Sequence, residues 1–179
     1  YKQSRGINSL ADRAAEWTLK RYCNNGLKIL PFNPADASDD RHYCSPGFNL
    51  PVGSLMRTMY GKYPEYHTSD DNRNFISFDA MEEAVEAYAK ICETLEENAR
   101  FENLVKYGEP QLGTRGLYPS TGGVGEMSEQ VASLLWVLNY SDGKYDLLDI
   151  ANMSGLDIRQ LALAADKCCK AGIARGIDN

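Results

Sequence analysis

The sequence has no surplus of basic residues. Its 179 residues carry 19 Lys and Arg against 25 Asp and Glu, a formal net charge of −6. Divided at Lys106, the first part holds 13 basic and 16 acidic side chains and the rest holds 6 and 9, so each part is −3. Neither part offers the cation excess that a phosphate backbone needs, which disfavours a nucleic-acid partner. No apolar run approaches the ~20 residues that span a bilayer, and no signal-peptide pattern opens the chain, so no membrane partner is expected. Cysteine is sparse. Cys23, Cys44, Cys92, Cys168 and Cys169 are odd in number and unevenly spaced, with no Cys-x-x-Cys pair. That suits free thiols in a reducing, cytoplasmic setting better than a disulfide framework or a zinc ribbon. Histidine is sparser still, with only His42 and His67, and there are no internal repeats. The chain opens on Tyr1 rather than Met and without a leader or linker, so a truncated chain is expected.

What is present has the patterning of an α/β layer followed by helices. Asn8 can cap a helix through Leu10, Ala14, Trp17 and Arg21 that stops at Asn24-Asn25-Gly26. Leu27 to Phe32 reads as a short strand closed by Pro31 and Pro34, and Leu50 to Thr58 as a second strand. Between them, 33–49 is a long loop rich in Asp, Ser, Pro and Gly, of the kind that is often functional. Asp79 with Glu82 forms a capping-box-like start for the clearest helix, with Met81, Val85, Tyr88, Ile91 and Leu95 on its apolar stripe. Its many glutamates read as a solvated face rather than a metal cage. The glycine- and proline-rich 107–125 reads as a linker or wrapped loop. Within it, Ser120 to Gly125 lacks the Gly-Lys-Ser/Thr ending of a phosphate loop. A helical stripe from Met127 to Leu138, a short helix over Leu147 to Met153, a Ser154-Gly155 turn and an Asp157-capped helix follow. With Ile173 to Ile177 as a small strand or wing, that order is a winged-helix pattern.

Two loop constellations could carry chemistry. His67 sits in Tyr-Pro-Glu-Tyr-His-Thr-Ser-Asp-Asp, between a strand candidate and a helix, where α/β folds build their sites. Nearby carboxylates could accept its second N–H, as ligand histidines require, although a lone loop histidine is more often a turn or surface residue. Asp39-Asp40-Arg41 could hold a polar ligand end or could be a salt-bridged loop, and spacing alone favours the second. Cys44 beside His42 invites a Cys–His nucleophile reading, but alternating residues usually point apart.

The run from Asp39 to Ile76 resembles a block of the bacterial aminopeptidase-like-domain proteins, of the two-zinc aminopeptidase superfamily. Asp39-Asp40-Arg41, the Leu-Pro-Val-Gly-Ser-Leu-Met run of 50–56, His67-Thr68 and the Met81 helix occur in that group's order. Tyr1 to Arg5 and Leu135 to Gly143 also resemble it, so the likeness covers essentially the whole chain. Asp40 and His42 stand where the group would carry Glu and Gln.

The resemblance implies a zinc hydrolase cutting a peptide or related amide bond in a small-molecule or peptide substrate. His67 matches the last metal ligand, Asp39, Asp40 and Arg41 would line the site or tie the loop to it, and no catalytic base lies in this chain. The expected organisation is a partial aminopeptidase-like α/β domain over 1–106, a linker over 107–125 and a winged-helix domain over 126–179. A homo-oligomer is possible on this reading. The competing reading is a winged-helix protein-interaction or regulatory module on a catalytically inactive aminopeptidase-like scaffold.

Overall fold

Ser9, not Asn8, starts the first helix. In a computed structural model that describes residues 1–6, 8–23, 26–36, 38–118 and 128–177, helix α1 spans Leu10–Tyr22. Ser9 Oγ accepts the Asp12 N–H at 3.2 Å, while Asn8 takes a left-handed φ of 57° that asparagine tolerates and so turns the chain into the helix. Lys20 and Arg21 in its last turn complement the helix dipole. The stop expected at Asn24-Asn25-Gly26 falls largely outside the described residues; the helix itself ends at Tyr22.

The chain divides into two units, Tyr1–Leu95 and Glu96–Asn179. In the first, the expected strands shrink to single bridges: Lys2 pairs in parallel with Leu30 and antiparallel with Ser54. Pro31, Pro34 and Pro51 lack the N–H groups a longer ladder needs, so pairing stops at one residue on either side. The central segment approaches closely, and a Cβ placed on Gly53 would lie 2.0 Å from the Tyr1 hydroxyl. Helix α2, Asp40–Tyr43, is a single turn in the long loop. Helix α3 runs Phe78–Glu97, and its first turn is capped by Ser77 Oγ accepting the Ala80 N–H at 3.2 Å, two residues before the expected Asp79. Of the residues on α3 only Ile91 and Thr94 are buried, whereas Phe78, Met81, Val85 and Tyr88 are more than half exposed.

The second unit is built on apolar patterning. Helix α4 (Glu129–Tyr140) is capped by Ser128, α5 (Leu147–Ser154) by a reciprocal Asp146–Asp149 capping box, and α6 (Ile158–Lys170) by Asp157. Gly155 closes α5 in the left-handed conformation at φ 74°, where a Cβ would be strained. Val131, Leu134, Val137 and Leu138 of α4 are buried in the core, as are Leu147, Leu148 and Ile150 of α5 and Ile158, Leu161 and Cys168 of α6. Each such leucine contributes about 1.5–3 kcal/mol by leaving water.

A three-stranded antiparallel sheet completes the second unit in the order β2-β1-β3, with β1 at Arg100–Asn103, β2 at Asp142–Asp146 and β3 at Ala174–Ile177. β1 pairs Arg100 with Ile177 and Asn103 with Ala174 along one edge, and Glu102 with Asp142 along the other. This corrects the boundary expected at Lys106: 100–103 are the central strand of the second unit, so the division falls earlier, at Leu95/Glu96. Residues 119–127, including Ser120 to Gly125 and Met127, lie outside the described residues; within 107–118 most residues are exposed, and Pro110 and Leu112 are the buried ones that anchor the stretch. The strand expected at the C-terminal end is present as β3.

Candidate functional site

The long loop is held by a buried ion pair. The Lys2 ammonium lies 2.6 Å from Asp40 Oδ2, with both side chains 1% exposed. The same ammonium donates to the Tyr60 hydroxyl at 2.6 Å and to the Asp36 carbonyl at 3.1 Å. Burial works against its charge, but the bonds to Asp40 and Tyr60 outweigh that and hold its pKa above the usual lysine value. Asp40 Oδ1 accepts the Ser38 N–H at 2.7 Å. Asp40 therefore ties the loop to the Tyr1–Lys2 segment and does not face solvent. Its neighbours differ: Asp39 and Arg41 are exposed, and Arg41 donates to the Pro34 carbonyl at 3.3 Å.

Cys44 is also structural. It is 1% exposed, and its thiol donates to the carbonyls of Leu50 and Val52 at 3.2 and 3.5 Å, closing the Cys-Ser-Pro-Gly turn. His42 is exposed, and no bond joins it to Cys44, so the geometry supports no Cys–His nucleophile.

A second buried network anchors the same end of the unit. Asp12, 2% exposed, receives the Tyr1 hydroxyl and Ser4 N–H on one oxygen and the Ser4 and Ser9 hydroxyls on the other, at 2.6–2.8 Å. Four donors satisfy the carboxylate. Burial and then Asp12 push the Tyr1 phenol well above the usual tyrosine range, so it remains a donor.

His67 lies in a chain of tight turns. Tyr66 N–H donates to Tyr63, Thr68 Oγ1 to the Glu65 carbonyl at 2.8 Å, and Asp70 N–H to Thr68 Oγ1 at 3.2 Å. At the centre, His67 takes φ 59°, uncommon for a non-glycine residue and characteristic of functional or strained positions. Its imidazole is exposed and stacks on Tyr66, with centroids 4.0 Å apart and planes 15° apart. Among the described residues it makes no hydrogen bond or ion pair, so both ring nitrogens stay available. No hydrogen bond or ion pair among the described residues joins it to Asp70 or Asp71, or to Asp39, Asp40 or Arg41. Among the described residues no three His, Cys, Asp or Glu come together as a metal cage.

Sequence reasoning missed Lys2, Tyr60 and Asp12. Lys2 meets Asp40 and Tyr60 only through contacts distant in the chain, which local patterning does not carry. Asp12 did have a signal, since Ser9-x-x-Asp12 is the spacing of a capping interaction.

A sequence-family model for a domain of unknown function, DUF4910, matches residues 1–98, and a winged helix-turn-helix model matches 99–176. The chain belongs to the DUF4910 family. The junction of the two matches lies within a few residues of the structural division. A Clostridium acetobutylicum protein, provisionally named for polysaccharide biosynthesis and carrying an aminopeptidase-like domain, is 40% identical over 166 residues. A crystal structure of a C. acetobutylicum protein provisionally named a peptidase superposes with a TM-score of 0.81 at 35% identity, covering 98% of this chain. The α/β reading with a winged-helix domain agrees with that fold. The chain spans 38% of the length of each of these relatives.

Proposed function

We propose that this chain is part of a zinc-dependent aminopeptidase-like hydrolase acting on a peptide or related amide bond. The observation that carries the reading is His67: an exposed imidazole with both nitrogens uncommitted, held at a strained turn within a family whose relatives are named for peptidase-like domains. Zinc that activates water needs about three protein ligands and an open position. The described residues offer one, so they do not by themselves fit a resident zinc, and His67 is proposed as one ligand of a site completed elsewhere in the protein. Asp39 and Arg41, both exposed, are proposed to meet substrate, with Asp40 holding their loop through Lys2.

The winged-helix unit is proposed as a protein-packing rather than a DNA-reading module. On α6, Arg159 lies 3.6 Å from Asp157 and Lys170 lies 2.5 Å from Asp166, so these cations are already neutralised. A groove of 340 Å³ between α4 and α6, lined by Glu129, Leu134, Gln160, Leu163 and Lys167, leaves Leu163 63% exposed and favours an apolar protein contact. The free cysteines suit a cytoplasmic setting, and no helix among the described residues is long and apolar enough to cross a membrane.

The test uses full-length protein. Metal analysis after dialysis and hydrolysis of an aminoacyl anilide should both be positive, and His67→Ala should lose the metal and at least ~10-fold of the activity, as is typical when metal-site residues are altered. Retention of both by His67→Ala removes the assignment. A folded full-length protein without zinc or turnover favours the interaction module on an inactive scaffold.

A further inference from the structure

Among the described residues, the hydrogen bonds of 63–76 are made inside that stretch, running Tyr66 to Tyr63, Thr68 to Glu65, Asp71 to Thr68, Asn72 to Asp70 and Phe75 to Asn72. Such bonds shape a turn but do not fix where it sits. Two further ring contacts, Tyr63–Tyr66 and Tyr63–Phe75, are also internal, with centroids 5.5 and 5.7 Å apart. The ring contact that leaves the stretch is Tyr60–Tyr66, with centroids 6.4 Å apart and planes tilted by 30°. Tyr66 therefore meets both Tyr63 and Tyr60, and His67 lies flat on Tyr66.

Tyr60 is fixed from its far end. Its hydroxyl accepts from Lys2 and donates to the Asp36 carbonyl, so both of its hydrogen-bonding functions are used. Lys2 is bound by backbone bridges to Leu30 and Ser54 and by the ion pair to Asp40. A continuous path of contacts thus runs Asp40, Lys2, Tyr60, Tyr66, His67. We infer that Lys2 is a positioning residue for His67, setting the imidazole's place through Tyr60 and Tyr66. The functional meaning rests on the zinc-ligand reading of His67; the geometry does not.

The proposal separates a positioning role from mere support of the fold. Tyr60→Phe keeps the ring and removes only the hydroxyl that Lys2 and Asp36 hold. Lys2→Met/Asp40→Leu removes the ion pair without stranding a buried charge. Thr18→Val is the control: it deletes the 2.9 Å hydroxyl contact to Thr94, elsewhere in the same unit.

In full-length protein with labelled histidine and tyrosine, NMR reads the His67 ring signals and their proton cross-peaks to Tyr66. Both network variants should shift or broaden the His67 signals and weaken those cross-peaks at least two-fold, while Thr18→Val leaves them unchanged. Unchanged His67 signals and cross-peaks in both network variants, whatever happens to their melting temperatures, overturn the proposal, as does an equal change in Thr18→Val. A parallel chelator challenge asks the separate question: with the zinc reading correct, the network variants lose metal about 10-fold more readily, as supporting residues of metal ligands generally do. Shifted His67 signals together with a His67→Ala protein that keeps its metal would uphold the positioning and reject the zinc role.

Discussion

The two units hold themselves together by different means. Among the described residues of the first, six buried apolar side chains stand beside six buried polar or charged ones, including Lys2, Asp12 and Asp40. In the second, sixteen buried apolar side chains stand beside three polar ones. An apolar core tolerates loss of a methylene in proportion to the cavity left, whereas a buried charge is stable only while its partner is present. The first unit is therefore brittle at a few named atoms. The second spreads its stability over many contacts.

The largest expected effect tests that brittleness. Lys2→Met leaves Asp40 charged and buried, and should cost the first unit about 3–5 kcal/mol, whereas Lys2→Met/Asp40→Leu should recover most of the loss. Hydrogen exchange read by mass spectrometry would show the loss in residues 1–95 and not in 96–177; a single variant within ~1 kcal/mol of wild type would mean that water reaches the pair. Next comes Leu161→Ala at a fully buried position of α6, which should cost about 2–5 kcal/mol with the pattern of exchange reversed. Equal loss of protection in both units would break the comparison.

The smallest effect is electrostatic. Glu102 on β1 is flanked by Lys106 at 2.8 Å and Arg175 at 2.5 Å, and these two hold its pKa below the ordinary glutamate value. A depressed carboxylate contributes stability that is present above its unfolded pKa and is lost as pH falls through the folded one. Acidifying below the ordinary glutamate range should thus lower the melting temperature slightly, and Glu102→Gln should flatten that part of the pH profile. Identical profiles for the two proteins would remove the pair from the account.

The same contrast explains how far the sequence could be read. The helices of the second unit are legible because their apolar positions recur at helical spacing and the Ser154-Gly155 turn and Asp157 mark two of their ends. Its central strand was not, since Arg-Phe-Glu-Asn is short and weakly alternating, and its partners lie some 40 and 75 positions along the chain. In the first unit, turn chemistry placed His67 correctly in a loop between extended chain and α3. Its strands are shorter than their apolar runs suggest, because the prolines among them remove the ladder donors. On α3 the apolar stripe was readable, but only Ile91 on it is buried in this chain. The Asp39–Arg41 triplet looked uniform in sequence; burial of the middle residue alone separates a tie from two solvent-facing neighbours, and that depends on Lys2, far away in the chain.

Gly53 lies beside Lys2's partner Ser54, where the closeness of two strands is set by an atom that is missing. Any side chain there would begin with a carbon 2.0 Å from the Tyr1 oxygen, far closer than a carbon and an oxygen can approach without bonding. Displacing that ring would withdraw its hydroxyl from Asp12 and disturb the segment that carries Lys2. Mutation at codon 53 thus has no gentle first step: alanine meets the same obstacle as tryptophan. In the terms of an evolutionary walk, the position is a closed door, and variation in this part of the chain must begin elsewhere.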